Sequence, residues 1–186
     1  MDTRTGTVVA LCISPKGGVP KYPQEEVIVS WGFPGDFHSG PTRISRRTRQ
    51  LVFNDRQLSI VAQELYDQLG VELGVTLKAG DFAENITTKG LGDLSDLAEG
   101  DLLIIDGVDG VVLLRVTEQN IPCDNLLKYH ELMMEKSYGK RGVLAVVHAG
   151  AGVYLRPGAR IHVVKAEDAP AQLQEGFAEL LDRYRE

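Results

Sequence analysis

Cysteine occurs at two positions, and one of them, Cys123 in QNIPCDN, stands where a thiol could react. Pro122 stiffens the approach and offers no N–H of its own. The run that follows, LLKYHELMMEK, has helical spacing. Asp124 or Asn125 is its candidate N-cap, and Leu126, His130 and Met133 share one face before Gly139. A sulfur beside the free N–H groups of a helix start favours thiolate over thiol, which suits a nucleophile or a ligand for a soft metal. Asp124 opposes this unless its carboxylate caps the helix, and a partly buried structural cysteine is the plain alternative. Cys12 alternates with Val8 and Ala10 in a strand-like run and reads as core.

Residues 32–50, GFPGDFHSGPTRISRRTRQ, form a second group. Their glycines and prolines predict an irregular loop that brings backbone close to a ligand, and it carries Asp36 and His38. Arg43, Arg46, Arg47 and Arg49 follow; Arg47 and Arg49 share a face if both lie on the next strand. Such density suits a phosphate or other small anion through bidentate contacts, with a solvated charge run as the alternative. In KAGDFAENITTKGLGDL, Glu84 and Asn85 could read the donor and acceptor edges of a polar heterocycle, or merely cap a loop. Lys140 and Arg141 precede a strand-like run and read as a bend with two cations.

These residues need a frame. Runs rich in Val, Ile and Leu predict strands at 7–13, 26–31, 49–53, 101–106, 111–118, 143–148 and 159–164. The GVDG between the fourth and fifth makes 101–118 a hairpin. Helical spacing appears at about 56–69, with Leu58, Val61, Leu65 and Leu69 on one stripe and a stop at Gly70, then after Cys123, and again at about 168–185. Strands without regular alternation with helices argue against a doubly wound sheet. The expected fold is mainly β (α+β): a closed or nearly closed mixed barrel of about seven strands with peripheral helices, in one domain spanning 1–186.

A net charge of −6 excludes a phosphate-backbone binder of the usual basic kind, so no nucleic acid partner is expected. No stretch approaches the roughly 18 apolar residues of a membrane span, and the first residues carry no basic leader with a long apolar core. A cytoplasmic protein without a membrane partner is the expectation. The two cysteines form no metal-type spacing.

Taken in order, GDFHSG with its arginines, GDFAENI and GL, GDLLII, VT with PC, and RGVLAVV before a final strand resemble the MOSC domain, named for the C-terminal domain of molybdenum cofactor sulfurases, over roughly residues 6–164. The resemblance implies a barrel like the small domain of pyruvate kinase. It makes Cys123 the sulfur carrier or molybdenum ligand, and implies molybdopterin as cofactor. By donor chemistry the arginine cluster would meet its phosphate and Glu84 with Asn85 its pterin, with Asp36, His38 and Arg141 as further cofactor-binding residues. Stand-alone members look like reductases of N-hydroxylated compounds, which implies a small-molecule substrate and an electron-donor protein. The alternatives are a persulfide carrier served by a cysteine desulfurase, and a non-catalytic pterin or anion module. No pyridoxal phosphate is expected in a chain of this length. Many relatives carry an arginine shortly before Pro-Cys, where this chain has Gln119 and Asn120.

Overall fold

The computed structural model describes residues 4–171 and 173. Its strands are β1 (Thr5–Ile13), β2 (Tyr22–Gln24), β3 (Val27–Ile28), β4 (Thr42–Ile44), β5 (Leu51–Phe53), β6 (Leu58–Ala62), β7 (Ile86–Lys89), β8 (Leu102–Asp106), β9 (Val111–Gln119), β10 (Val143–Ala149), β11 (Tyr154–Leu155) and β12 (Arg160–Val164). Helix α1 spans Gln63–Leu73 and the short α2 spans Met133–Ser137.

Seven strands close in the order β1-β12-β8-β9-β10-β6-β7 and back to β1. Only β6 and β7 pair in parallel, so the barrel is mixed. Strand alternation sends Leu103, Ile105, Val112, Leu114, Val116, Ile161 and Val163 inward, all buried. Val8 and Leu11 both face in although they are three apart, because the register shifts between Val8 and Ala10. Burying each such side chain contributes about 1.5–3 kcal/mol.

Five of the expected strands are barrel staves, namely β1, β8, β9, β10 and β12, and 101–118 is the expected hairpin, closed by Gly107 N donating to Gly110 O at 2.8 Å. The other two lie outside the barrel: β3 pairs with β11, and β5 pairs with β4. The helix expected at about 56–69 is instead strand β6 followed by α1, which runs on to Gly74 in the left-handed conformation. Leu58 and Val61 therefore point to opposite faces, Leu58 into the barrel and Val61 outward against Leu65, Tyr66, Leu69 and Phe82. The helix expected after Cys123 is a five-residue 3-10 turn, Asp124–Lys128, then α2. The His130 ring accepts the Leu132 N–H at 3.1 Å between them, where a continuous helix would need that donor. The helix expected at about 168–185 lies outside the described residues apart from its first few positions.

Candidate functional site

Cys123 sits on a loop fixed from several sides. Asn120 ends β9 by donating its backbone N–H to Gly142 O at 2.9 Å, and its amide donates to Ser59 Oγ on β6 at 3.0 Å. Arg141 donates to the carbonyl of Ile121 and, at 3.1 Å, to that of Phe82. Pro122 and Leu126 are buried on either side, and Tyr129 donates to Asp81 Oδ1 at 3.0 Å. Between these anchors Cys123 stays half-buried with a free thiol in extended backbone. Its carbonyl accepts the Leu126 N–H at 3.0 Å, opening the 3-10 turn. Neither Asp124 nor Asn125 caps it; Cys123 is the N-cap and no side chain bonds there. One 3-10 turn has a far smaller aligned dipole than the helix expected from the spacing, so the thiol owes its setting to the pinned loop.

A buried lysine organises the space beside this loop. Lys21 Nζ donates to Asp36 Oδ1 at 2.8 Å and to Asn85 Oδ1 at 2.9 Å, and its side chain is 1% exposed. Burial lowers its pKa, and Asp36 opposes the shift by stabilising the cation. Asp36 also accepts the N–H groups of Ser14 at 3.0 Å and His38 at 3.1 Å. Asn85 accepts the Ser59 N–H at 3.1 Å and donates to Cys12 O at the same distance. A hydrogen-bonded series thus runs from Asp36 through Lys21, Asn85 and Ser59 to Asn120, three residues before Cys123. Gly80 lets this happen: a Cβ there would stand 2.1 Å from Lys21 O.

Four residues expected to face a cofactor are occupied otherwise, the first being Asp36, buried against Lys21, Ser14 and His38. Glu84 is fully buried and accepts from Gly80 N at 2.7 Å, Thr87 Oγ1 at 2.8 Å and Phe82 N at 3.2 Å, so it organises its own turn instead of offering an edge. Asn85 is committed as above. Arg141, read as a surface cation, is buried and serves as the clamp on the Cys123 loop. Cys12 is core as expected, its thiol pushed up to about 12 by burial and then by Glu84.

The arginines divide by position. Arg43 is on β4, while Arg46, Arg47 and Arg49 lie in the β4–β5 loop, so Arg47 and Arg49 do not share a strand face. Ser45 N donates to Gln50 O at 2.8 Å and closes that loop. Beneath it lies a cavity of about 660 Å³ whose lining includes His38, Arg43, Arg46, Arg47, Asn54 and Arg56; Arg49 is not part of it. Asn54 braces the floor, donating to His38 O at 2.7 Å and Gly40 O at 2.9 Å. Arg43 is held by Asp55 at 2.7 Å and Arg56 by Glu118 at 2.8 Å. Among the described residues no acid pairs with Arg46 or Arg47. Burial holds the His38 pKa below its ordinary value; Lys21, Arg46 and Arg56 lower it further and Asp36 opposes them.

One loop, residues 15–19, joins this cavity to the Cys123 loop. A Cβ on Gly17 would stand 3.0 Å from the Phe37 ring, and one on Gly18 would stand 3.8 Å from Asn125 Nδ2. Lys128 Nζ donates to Val19 O at 3.2 Å. Lys21, Asn54, Arg56 and Ser59 also belong to the site, and the sequence alone does not single them out. Lys21 follows a proline in a loop and has no periodic context, while Arg56 and Ser59 were absorbed into the mistaken helix. Among the described residues no three His, Cys, Asp or Glu side chains form a metal-holding group, and no helix is long and apolar enough to cross a membrane.

Comparison with known proteins agrees with the fold and with the family resemblance. YuaD of Bacillus subtilis (strain 168), named "Putative metal-sulfur cluster biosynthesis proteins YuaD", is 28% identical over 151 residues, 70% of this chain and 76% of that protein. The crystal structure of YUAD protein from Bacillus subtilis superposes with a TM-score of 0.72 at 22% identity, covering 87% of this chain and 97% of that one. YiiM from Geobacillus stearothermophilus superposes with a TM-score of 0.63 at 20% identity, covering 95% and 99%. The family model of the MOSC domain matches residues 34–169, a stretch holding the GDFH loop, the arginine hairpin, Glu84 and Cys123, and this chain therefore belongs to the MOSC domain family.

Proposed function

We propose that this chain binds a molybdenum cofactor with Cys123 as the protein's ligand to the metal, and that it reduces N-hydroxylated small molecules. The observation that carries the reading is the construction of the Cys123 loop. Arg141, Asn120, Pro122 and Leu126 immobilise the backbone on both sides of a free, half-buried thiol. Fixing a ligand before binding removes much of the ordering cost of holding a metal.

The donor set fits the group in kind. A cofactor that brings its own pair of dithiolene sulfurs needs one further soft ligand, and a lone thiolate is such a ligand. Glu84 and Asn85 have no free edge for a pterin, so recognition of that ring falls to other groups. When bound, the cofactor supplies two-electron chemistry at a site that accepts oxygen; the electrons come from a donor protein. This chain's residues would hold and orient: Cys123 the metal, and Lys21 through Asp36 the loop that carries His38.

Expression in a host that makes the cofactor tests this. Molybdenum and pterin should copurify near one per chain and fall together in Cys123→Ala. A second reading, persulfide carriage on Cys123, is favoured by the metal-sulfur name of YuaD, to which this chain is similar. Incubation with a cysteine desulfurase and mass analysis of the Cys123 peptide separates the two. A persulfide on a metal-free protein supports the carrier.

A further inference from the structure

The cavity under the β4–β5 loop has a charge that the protein leaves uncompensated. Of its four guanidiniums, Arg43 and Arg56 are paired with Asp55 and Glu118, and Arg46 and Arg47 are left with no acid among the described residues. Ser45 and Thr42 add hydroxyls, and the walls are rounded off by the exposed faces of Phe37 and Ile44. A volume of about 660 Å³ lies within the ~300–1,000 Å³ of small-molecule sites and far exceeds what a bare inorganic anion fills.

We infer that this cavity takes a free organic phosphate monoester, its dianion against Arg46 and Arg47 and its carbon body against Phe37 and Ile44. Two unpaired guanidiniums match the charge of a dianion and present planar forks to its oxygens. A carboxylate would meet only half of that charge. The terminal phosphate of a resident cofactor has the same head chemistry, yet a resident group calls for enclosure. Arg46 and Arg47 are exposed on a hairpin that forms its own two-stranded sheet apart from the barrel, an arrangement suited to a ligand that exchanges. Residues 15–19 touch the cavity at Phe37 and the Cys123 loop at Asn125; on the function proposed for Cys123, the ligand is a substrate of that reaction. The binding claim rests on the cavity; the substrate claim rests on the reading of Cys123.

Calorimetric titration of the full chain with phenyl phosphate, inorganic phosphate and benzoate tests it, alongside molybdenum content from a cofactor-making host. Phenyl phosphate should bind saturably and at least tenfold more tightly than either control. Arg46→Ser with Arg47→Ser should weaken it at least tenfold with molybdenum content and melting temperature unchanged, whereas Arg49→Ser, outside the cavity, should leave binding within twofold. Absent saturable binding by the native chain, the inference fails. It fails equally if Arg49→Ser weakens binding as much as the double substitution, which would mean a diffuse field. Loss of molybdenum in the double variant would assign the cavity to the cofactor. If the native chain carries no molybdenum at all, the function proposed for Cys123 falls, and the titrations still decide the cavity.

Discussion

Lys21 Nζ and Asp36 Oδ1 meet at 2.8 Å with both side chains almost wholly removed from solvent. Neither charge has water to fall back on, so the pair holds the Asp36–His38 loop in place, with the Ser14 N–H donating to Asp36 and the Asn85 side-chain oxygen accepting from Lys21. Removing one partner strands the other. Lys21→Met is expected to lower unfolding free energy by about 3–5 kcal/mol, and Asp36→Asn by a comparable amount. The double substitution should cost clearly less than the sum. Urea denaturation of the four proteins gives the coupling, and additive losses would show that the contact carries no energy of its own.

The two thiols should behave as different chemicals. Cys12 is fully buried with its pKa pushed up to about 12, so at pH 8 it is both protonated and sheathed. Cys123 is half-buried and free. A thiol reagent at pH 8 should label one site per native chain, Cys123→Ala should label none, and denaturant should expose the second. The Cys12 shift also has a stability consequence. Its folded-state pKa is raised from 9.0, so the contribution is complete below pH 9 and is lost as pH rises towards about 12.

Arg141 clamps the Cys123 loop through carbonyl contacts alone, so a lysine, with one compact ammonium, cannot reach both Ile121 O and Phe82 O in the same way. Arg141→Lys is expected to cost about 1–3 kcal/mol and to speed labelling of Cys123 several-fold by loosening its backbone. Equal labelling rates in native and variant protein would remove Arg141 from the account of the site.

His38 gives a pH signature for the cavity. In the free protein its pKa lies below the ordinary value, from burial and the charges of Lys21, Arg46 and Arg56 against Asp36. A dianion on the arginines cancels part of that positive field and raises the pKa. Between the free and bound values the complex therefore takes up a proton. Titrating phenyl phosphate near pH 6.5 in buffers of different ionisation enthalpy should show more proton uptake, net of the proton the ligand itself releases, in the native chain than in His38→Gln.

The barrel was legible because its staves are long β-branched runs with alternating burial, as in Val112, Leu114 and Val116 on β9. β6 was not, since LSIVA runs straight into α1 without a break and both its faces are buried, one by the barrel and one by the helix. That removes the alternation that marks a half-exposed strand. Cys123 stood out by its Pro-Cys setting, and the arginines by density. Lys21 did not, because a buried lysine is defined by partners 15 and 64 residues away, Asp36 and Asn85. Glu84 and Arg141 looked like ligands for the same reason in reverse: the backbone groups that occupy them are invisible until the chain is folded.

The proposed function stands on Cys123 supplying a sulfur to molybdenum. X-ray absorption at the molybdenum edge, on protein from a cofactor-making host, addresses it most directly. The native chain should show one sulfur scatterer beyond the cofactor's own pair. Whatever molybdenum Cys123→Ala retains should lack that scatterer, while Cys12→Ala keeps it. A sulfur count unchanged by Cys123→Ala would contradict the account.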